Sequence, residues 1–362
     1  MRKSERGNEK ETMTTKKDMT GKPTVIKEVN LGLLKDALAQ MGQATRVELA
    51  RRTGISQPTV NVLIKEMTEQ GEVLNLGNAD STGGRKAAVY TLNQKHYHIL
   101  SVVARKEELE YCIFDLQLQK ETREKKAIDA NGSYTGQLAG FLQEILKDVP
   151  DVKAVCVGVP GAVSQQGEVF AIPQIPEWEH FGLQAYLEKA CSPKVMVRND
   201  INAVAMGYLT GERMNGSYTG EDGKLPVRNL VYLHVEGTGL GAGIIIDGRL
   251  YSGSNSFAGE AGYMQIGCDN LENQLTGADT AKRETILSKV LVNLICILNP
   301  EKIVLGGEIT EKMTQHIKEQ CCQCLPMGVV PEFALIPDSM EQYFMGLGQS
   351  ALDLLDNQIR LH

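Results

Sequence analysis

The sequence predicts an α/β protein with a small, mainly helical unit at its N-terminus. Residues 45–71 read as two short helices joined by a glycine turn. From His96 onward, short apolar runs alternate with helical segments, which is typical of α/β domains. The charge divides in the same way: residues 1–95 carry 16 Lys/Arg and 11 Asp/Glu, whereas residues 96–362 carry 22 and 34.

The two N-terminal helices have clear boundaries in the sequence. Thr45 followed by Glu48 is a capping box, so the first helix begins there. Gly54 supplies the turn, Ser56 can cap the second helix, and Pro58 is tolerated only in a first turn. The apolar residues that follow recur at helical spacing and predict a buried stripe, which comprises Val60, Leu63, Ile64 and Met67.

The residues outside this stripe are of types that reach base edges and phosphates. A predicted hairpin over 73–92 follows, with a Gly-Gly tip that can bring basic side chains to a minor groove or a phosphate. The predicted DNA-binding residues are Ser56, Gln57, Pro58, Thr59, Asn61 and Lys65 on the helix and Arg85 and Lys86 on the hairpin. The alternatives are an ordinary helical hairpin in a core and a solvated loop.

An upstream helix completes this unit. Its apolar residues repeat at intervals of three and four and predict a face packed on the helix pair: Ile26, Val29, Leu33, Leu34, Leu38 and Met41. Together these segments predict a winged helix-turn-helix domain over 25–95. Residues 1–24 are polar and predict a disordered tail.

Composition favours a cytoplasmic protein of two to three domains. The chain has 362 residues, of which 42% are hydrophobic and 23% charged. We find neither a run of roughly 20 apolar residues nor a signal-peptide pattern, and the eight cysteines lack a disulfide-framework spacing. The net charge of −7 is the sum of +5 before His96 and −12 from there on, so the basic N-terminal unit is the part suited to nucleic acid.

Glycine-rich turns recur at predicted strand ends along the rest of the chain. Each one alone is an ordinary tight turn, but five in order allow backbone amides to approach a ligand closely. They are Gly158-Val-Pro-Gly161, the Asn199-Asp200 turn, Gly237-Thr-Gly-Leu-Gly241, Ala258-Gly-Glu260 with Gly262, and Gly306-Gly307 after Asn299-Pro300.

The order and spacing of these motifs resemble the ROK family, and in particular its repressors for N-acetylglucosamine and xylose. The resemblance implies a two-lobed, actin-like body, with one lobe over 96–197 and 345–362 and the other over 198–344. It also implies a carbohydrate effector, a homodimer or homotetramer, and paired binding to a palindromic operator.

The kinase members of the family require a glycine-rich phosphate loop after the first strand. Here the matching segment holds Arg105 and Lys106 without glycine or aspartate. It therefore lacks the glycine backbone that approaches phosphates and the carboxylate that coordinates Mg²⁺. Asp200 matches the position of the kinase base. We therefore expect no catalytic residues and no cofactor, with Asp200 retained for binding.

The resemblance implies a ligand-binding set of Asn199, Asp200, Glu260 and Glu272, whose carboxylates and amide suit a polyol. Gln174 stands near the place of a family asparagine before Trp178. The family zinc is not expected, because Tyr263 replaces its histidine and the segment that follows holds one cysteine, Cys268. Cys321-Cys-Gln-Cys324 is more often a packed cluster than a metal site.

The leading hypothesis is a DNA-binding regulator, a repressor of carbohydrate-metabolism genes, whose degenerate kinase-like body senses a sugar or sugar phosphate. The first alternative is a bifunctional hexose kinase with a DNA-binding head. The second is a body that docks a transport or signalling protein instead of a small molecule.

Overall fold

The computed structural model describes residues 23–78, 87–215, 227–267 and 269–356. The chain divides into two compact units, one up to Asn93 and one from Gln94 onward. No helix in these described ranges is both long and apolar enough to cross a membrane.

The first unit contains three helices and a three-stranded antiparallel sheet of order β1-β3-β2. Its elements are α1 (Pro23–Met41), β1 (Ala44–Thr45), α2 (Arg46–Thr53), α3 (Gln57–Glu69), β2 (Val73–Asn78) and β3 (Ala88–Leu92). The predicted capping box is confirmed: Thr45 N donates to Glu48 Oε2 over 2.7 Å, and Glu48 N donates to Thr45 Oγ1 over 3.3 Å. Gly54 ends α2 in the left-handed region with φ of 73°, and Ser56 caps α3.

The buried stripe of α3 is also confirmed, but the predicted face of α1 is partly wrong. Leu34 and Leu38 are buried in the core of the unit, whereas Ile26, Leu33 and Met41 are 52%, 42% and 37% exposed. The core accepts only one side of α1, which centres on Leu34, Ala37 and Leu38. The hairpin tip, with Arg85 and Lys86, lies outside the described residues.

The second unit begins with a five-stranded sheet of order β10-β7-β4-β5-β6. Strands β4, β7 and β10 are parallel, and β5 and β6 continue the sheet antiparallel. Helices α4 and α5 pack on one face of the sheet. The elements of this lobe are β4 (His98–Ala104), β5 (Glu108–Phe114), β6 (Lys120–Ala127), α4 (Tyr134–Asp148), β7 (Val152–Val159), β8 (Ala162–Val163), β9 (Val169–Phe170), a 3-10 turn (Pro176–Trp178), α5 (Leu183–Ala190) and β10 (Lys194–Asn199).

A second sheet of the unit repeats this topology in the order β13-β12-β11-β16-β17. Strands β11, β16 and β17 are parallel, whereas β12 and β13 are antiparallel. The elements are β11 (Leu230–Glu236), β12 (Gly239–Ile246), β13 (Arg249–Leu250), a 3-10 turn (Ala261–Tyr263), β14 (Gln265–Ile266), β15 (Asp269–Asn270), α7 (Leu271–Leu275), α8 (Thr280–Leu298), β16 (Lys302–Gly307), α9 (Glu311–Cys324) and β17 (Glu332–Ile336).

Two helices fill the space between the sheets. They are α6 (Asp200–Asn215) and α10 (Met340–Asp356). A single apolar cluster joins Cys156 of the first sheet and Tyr232 of the second to both helices. Two sheets of equal topology joined in this way confirm the predicted two-lobed, actin-like α/β body.

Candidate functional site

The outer face of α3 carries most of the residues predicted to contact DNA. Gln57, Pro58, Asn61 and Lys65 are exposed, and Thr59 is half-buried. The hydroxyls of Ser56 and Thr59 lie 2.8 Å apart and are hydrogen-bonded to each other, and Thr59 N donates to Ser56 Oγ over 3.4 Å. These two hydroxyls therefore fix the start of the helix, while the amides and the lysine remain open to a ligand.

Sequence reasoning missed one residue of this face. Val62 is 64% exposed and stands between Asn61 and the buried Leu63. The signal was available, because Val62 falls outside the helical period of the buried stripe. An apolar side chain was nevertheless overlooked among polar candidates.

In the body, the junction from β10 to α6 places Asn199 and Asp200 side by side. Asn199 Nδ2 donates to Asp200 Oδ1 over 3.0 Å and to the Gly161 carbonyl over 3.1 Å. Asn199 Oδ1 accepts from Asn202 N over 2.9 Å, and Asp200 Oδ1 accepts from Ile201 N over 2.7 Å. Both side chains are thus held rigidly at the start of α6.

The pKa of Asp200 is raised to about 6, mainly by burial and to a lesser degree by the negative charges of Glu260 and Glu236, while the Ile201 amide acts in the opposite sense. Burial and the nearby charge of Glu272 raise the pKa of Glu260 as well. Asp200, Glu260 and Glu272 therefore form an electrostatically coupled acidic group, although 60 residues separate the first two in sequence.

Close glycine packing brings this acidic group together. A Cβ atom on Gly243 of β12 would lie 2.5 Å from Ala205 Cβ, so only glycine lets α6 approach this strand. The turn before Glu260 is tied to the same strand, because Ala242 N donates to the Gly259 carbonyl over 2.7 Å. Strand β12 therefore positions Asp200 from one side and Glu260 from the other.

Gln174, the fifth predicted ligand residue, is exposed in the segment between β9 and α5. Both ends of this segment are anchored. Glu179 accepts from Ala171 N and Ile172 N over 3.1 Å each, and Glu177 accepts from Ser133 Oγ and Tyr134 N over 2.8 Å each. No hydrogen bond within the described residues links Gln174 to the acidic group.

A cavity of about 520 Å³ opens beside Asn199. Its walls come from the β8–β9 hairpin, the edge strand β10, α6 and the segment after β13, and its polar lining residues include Ser164, Gln165, Gln184, Arg198, Asn199, Asn202, Tyr251, Ser252 and Ser254. Within the described part of the chain, Asn202 Oδ1 and Arg198 Nε are buried without a hydrogen-bond partner. A hydroxyl-rich ligand in this cavity would satisfy such groups. Of the five predicted ligand residues, Asn199 lines this cavity. Gln174, Asp200, Glu260 and Glu272 are not among its lining residues.

Arginine side chains contact two turns of the body, one after β4 and one between β11 and β12. Arg105 pairs with Glu108 over 3.4 Å, and its carbonyl accepts the Tyr134 hydroxyl. In the second lobe, Arg283 donates to the Gly237 carbonyl and pairs with Glu308 over 3.4 Å. Both arginine side chains are therefore engaged in ion pairs with carboxylates of the chain, and Arg283 also holds the Gly237 turn by a hydrogen bond.

The segment after Glu260 has Tyr263 exposed at the end of the 3-10 turn. Cys268 lies outside the described residues. Among the residues that are described, no group of three His, Cys, Asp or Glu side chains is arranged to hold a metal ion. Cys321 is buried against α8, with Cys322 and Cys324 exposed on α9.

The structure combines two architectures: a winged helix-turn-helix and, after it, a two-lobed, actin-like α/β body. Comparison with known families agrees, since residues 36–71 match the winged helix-turn-helix DNA-binding model and residues 101–277 match the ROK family model. In chain order, the sequence is therefore similar to a winged helix-turn-helix DNA-binding domain and then to a ROK family domain.

Repressors are found among the related sequences. The chain is 23% identical over 249 residues to the xylose repressor of Bacillus subtilis, covering 67% of this chain and 62% of that protein. It is 24% identical over 349 residues to the DNA-binding transcriptional dual regulator NagC of Escherichia coli K12, covering 80% and 83%. The match thus spans about three fifths of the xylose repressor and most of NagC.

Solved structures support the fold. A ROK family transcriptional regulator, a homolog of the E. coli MLC protein, superposes with a TM-score of 0.71 at 19% identity over 92% of this chain and 99% of that chain. A ROK hexokinase from Thermus thermophilus superposes with a TM-score of 0.58 at 19% identity over 72% and 99%. The body fold is therefore common to regulators and kinases.

Proposed function

We propose that this protein is a sugar-responsive DNA-binding repressor of carbohydrate-metabolism genes, acting in the cytoplasm as a homodimer or homotetramer on a palindromic operator. The observation that carries the proposal is that one chain contains both an exposed helix with polar side chains and a body with a polar cavity. Beside this cavity, the body holds a rigid Asn199-Asp200 pair. The repressor names of the related sequences support the same function.

The proposed effector is a sugar or sugar phosphate. Its hydroxyls would contact Asn199, Asp200, Glu260 and Glu272, with Gln174 as a further contact. Carboxylates and amides together both accept and donate hydrogen bonds, which a polyol requires. Asn202, whose Oδ1 has no partner among the described residues, is a sixth candidate that the sequence did not single out.

The effector would act by preferring one arrangement of the two lobes over another. A ligand changes DNA affinity only by its differential affinity for the two arrangements, and tenfold relief requires about 1.4 kcal/mol of coupling. Asn199 ends strand β10 of the first sheet, and Glu260 follows β13 of the second sheet, so a ligand that contacts both would favour a closed body.

A sugar kinase is the second candidate, because Asp200 has a pKa of about 6, as a general base near neutral pH requires. Against it, Arg105 stands where the phosphates would need a glycine loop, and Arg283 engages the Gly237 turn. We therefore propose that the body binds sugar without transferring phosphate.

A thermal-shift experiment tests these functions on the full chain. Mono- and disaccharides and sugar phosphates form one arm and Mg·ATP the other, because a ligand that binds only the folded protein raises its melting temperature. We expect a sugar response without an ATP response, and we expect Asp200→Ala to abolish the sugar response. Glu319→Gln, an exposed carboxylate on α9, is the control and should keep it.

The other results also decide between functions. Sugar-dependent ATP turnover in a coupled assay would establish the kinase. If no sugar, sugar phosphate or Mg·ATP raises the melting temperature, the sugar effector is contradicted, and a body that docks a protein partner is favoured.

A further inference from the structure

An exposed valine lies on the outer face of α3, which also carries polar side chains. Val62 is 64% exposed, and Pro58, Asn61 and Lys65 are exposed on the same face. At about 100° per residue, Val62 lies about 150° from the middle of the buried stripe. It therefore points away from the core of the unit.

Packing within the unit does not explain this residue. Val60, Leu63, Ile64 and Met67 already fill the contact between α3 and the core. A β-branched residue is a modest helix former, so an exposed valine does not favour the helix either. The position, rather than the exposure itself, is informative, because single exposed apolar residues are ordinary on protein surfaces.

Val62 lies in the part of α3 from which recognition helices contact bases. It is the sixth residue of α3, which begins at Gln57. In helix-turn-helix proteins the N-terminal part of the second helix contacts base edges in the major groove. An aliphatic side chain there has one favourable partner, the C5-methyl group of thymine.

We propose that Val62 determines specificity by packing against the methyl group of a thymine in the major groove of the operator. The proposal rests on the DNA-binding function proposed above. Valine offers methyl groups and no hydrogen bond, so at a G·C pair it would cover donors and acceptors of the base edges without satisfying them. Asn61, the preceding exposed residue, supplies the amide that pairs with adenine, so the two residues together would favour an A·T-rich step.

The test removes only the methyl group. Duplexes are selected from a random-sequence pool with the full-length protein, and each thymine of the best-bound duplex is then replaced by deoxyuridine, one at a time. Base pairing is unchanged by this replacement. We expect one thymine in each half of the duplex whose replacement weakens wild-type binding about fourfold, the factor that burial of one such group supplies.

The Val62→Ala variant tests whether Val62 is the partner of that methyl group. We expect the same deoxyuridine replacement to change its dissociation constant by less than about twofold, since the partner of the methyl group is gone. Val47→Ala is the matched control, because Val47 is 56% exposed on α2 and should leave the fourfold methyl dependence intact. Melting temperatures of both variants check that the unit remains folded.

The outcomes separate this inference from the function on which it rests. If wild-type protein responds to no thymine, or if Val62→Ala keeps the response, Val62 does not contact a thymine methyl group. A response lost in Val47→Ala instead would transfer the contact to α2 and also overturn the proposal. If the protein enriches no duplex from the pool, the DNA-binding function itself is wrong.

Discussion

Gly207 of α6 and Gly346 of α10 lie against each other where these two helices cross between the sheets. A Cβ atom on Gly207 would lie 2.8 Å from Gly346 N and 1.7 Å from the Gln342 carbonyl oxygen. A Cβ atom on Gly346 would in turn lie 1.8 Å from the Ala203 carbonyl oxygen. The helices therefore touch backbone to backbone, and their crossing lies within the apolar cluster that joins the two sheets.

We expect Gly207→Ala and Gly346→Ala each to lower the free energy of unfolding of the body by about 3 kcal/mol or more, because backbone atoms cannot yield as a side chain can. Gly211→Ala is the matched control on the same helix. A Cβ atom there meets no atom within 4 Å, so we expect a gain of about 0.5–1 kcal/mol from the better helix former. Urea unfolding followed by fluorescence of Trp178 measures all three, and equal effects at Gly207 and Gly211 would contradict the close crossing.

The acidic group of the body should reduce stability in a pH-dependent way. The pKa of Asp200 is raised from 3.8 to about 6, so the folded protein binds a proton there that the unfolded chain releases. Stability therefore falls as pH rises from about 4 to about 6. We expect Asp200→Asn to melt higher than wild type at pH 7 and to lose this advantage towards pH 4.

Melting curves from pH 4 to pH 8 check this expectation. Glu319→Gln, which removes an exposed carboxylate on α9, is measured alongside as the control. Parallel curves for Asp200→Asn and wild type would show that Asp200 keeps an ordinary pKa. A stabilised variant that no longer responds to sugar would identify the carboxylate as kept for binding at a cost in stability.

Glu177 should stabilise the segment that carries Gln174. Burial acts to raise the pKa of Glu177, but hydrogen bonds from Thr135, Ser133 and Tyr134 outweigh it and hold the pKa below its usual value. The sign is therefore opposite to that of Asp200: the contribution is present at neutral pH and is lost as pH falls below about 4.5. The carboxylate also caps the N-terminus of α4, where negative charge is favourable.

We expect Glu177→Gln to cost about 1–2 kcal/mol at pH 7 and less at pH 4. Trp178, the only tryptophan of the chain, reports on this directly, because its Nε1 donates to Thr135 Oγ1 over 2.7 Å. Glu144→Gln on α4, the helix that Glu177 caps, is the control. Its exposed ion pair with Lys126 should be worth less than about 0.5 kcal/mol, and a similar loss in both variants would argue against capping by Glu177.

Local signals of the sequence predicted local structure well. Thr45, Gly54 and Ser56 act on residues two to four positions away, so their roles at the ends of α2 and α3 could be predicted and are confirmed. The face of α1 was partly mispredicted because its apolar residues extend around the helix, and only tertiary packing selects the side that is buried. The cavity beside Asn199 is lined by residues that range from Val163 to Ser256 in the sequence, and no local pattern connects them.

The acidic group was named through family resemblance, and the residues alone would not have assembled it. Asp200 and Glu260 meet because α6 and the Gly259 turn both pack on β12, a relationship set by the sheet and not by sequence spacing. The raised pKa of Asp200 likewise arises from burial and from distant charges. All five ligand assignments remain proposals, namely Asn199, Asp200, Glu260, Glu272 and Gln174.

The last prediction concerns Lys65 and Glu69 on the face of α3 proposed to contact DNA. Lys65 Nζ lies 3.6 Å from Glu69 Oε1, and both side chains are exposed, so the pair adds little stability. When the helix binds DNA, Glu69 would compete with the DNA phosphates for the Lys65 ammonium group and would repel those phosphates. We therefore expect Glu69→Gln to strengthen binding and Lys65→Gln to weaken it on all duplexes, with the slope of log K against log salt reduced by about one in the lysine variant.

Titrations of the selected duplex at several salt concentrations measure both effects. Glu28→Gln makes the same charge change at an exposed position of α1, and it therefore separates an effect specific to Glu69 from that of net charge. If Lys65→Gln lowers affinity for one sequence but leaves the salt slope unchanged, Lys65 contacts a base edge rather than a phosphate. If Glu69→Gln and Glu28→Gln behave alike, the face of α3 does not meet the DNA backbone at Glu69, and the lysine acts without its helical neighbour.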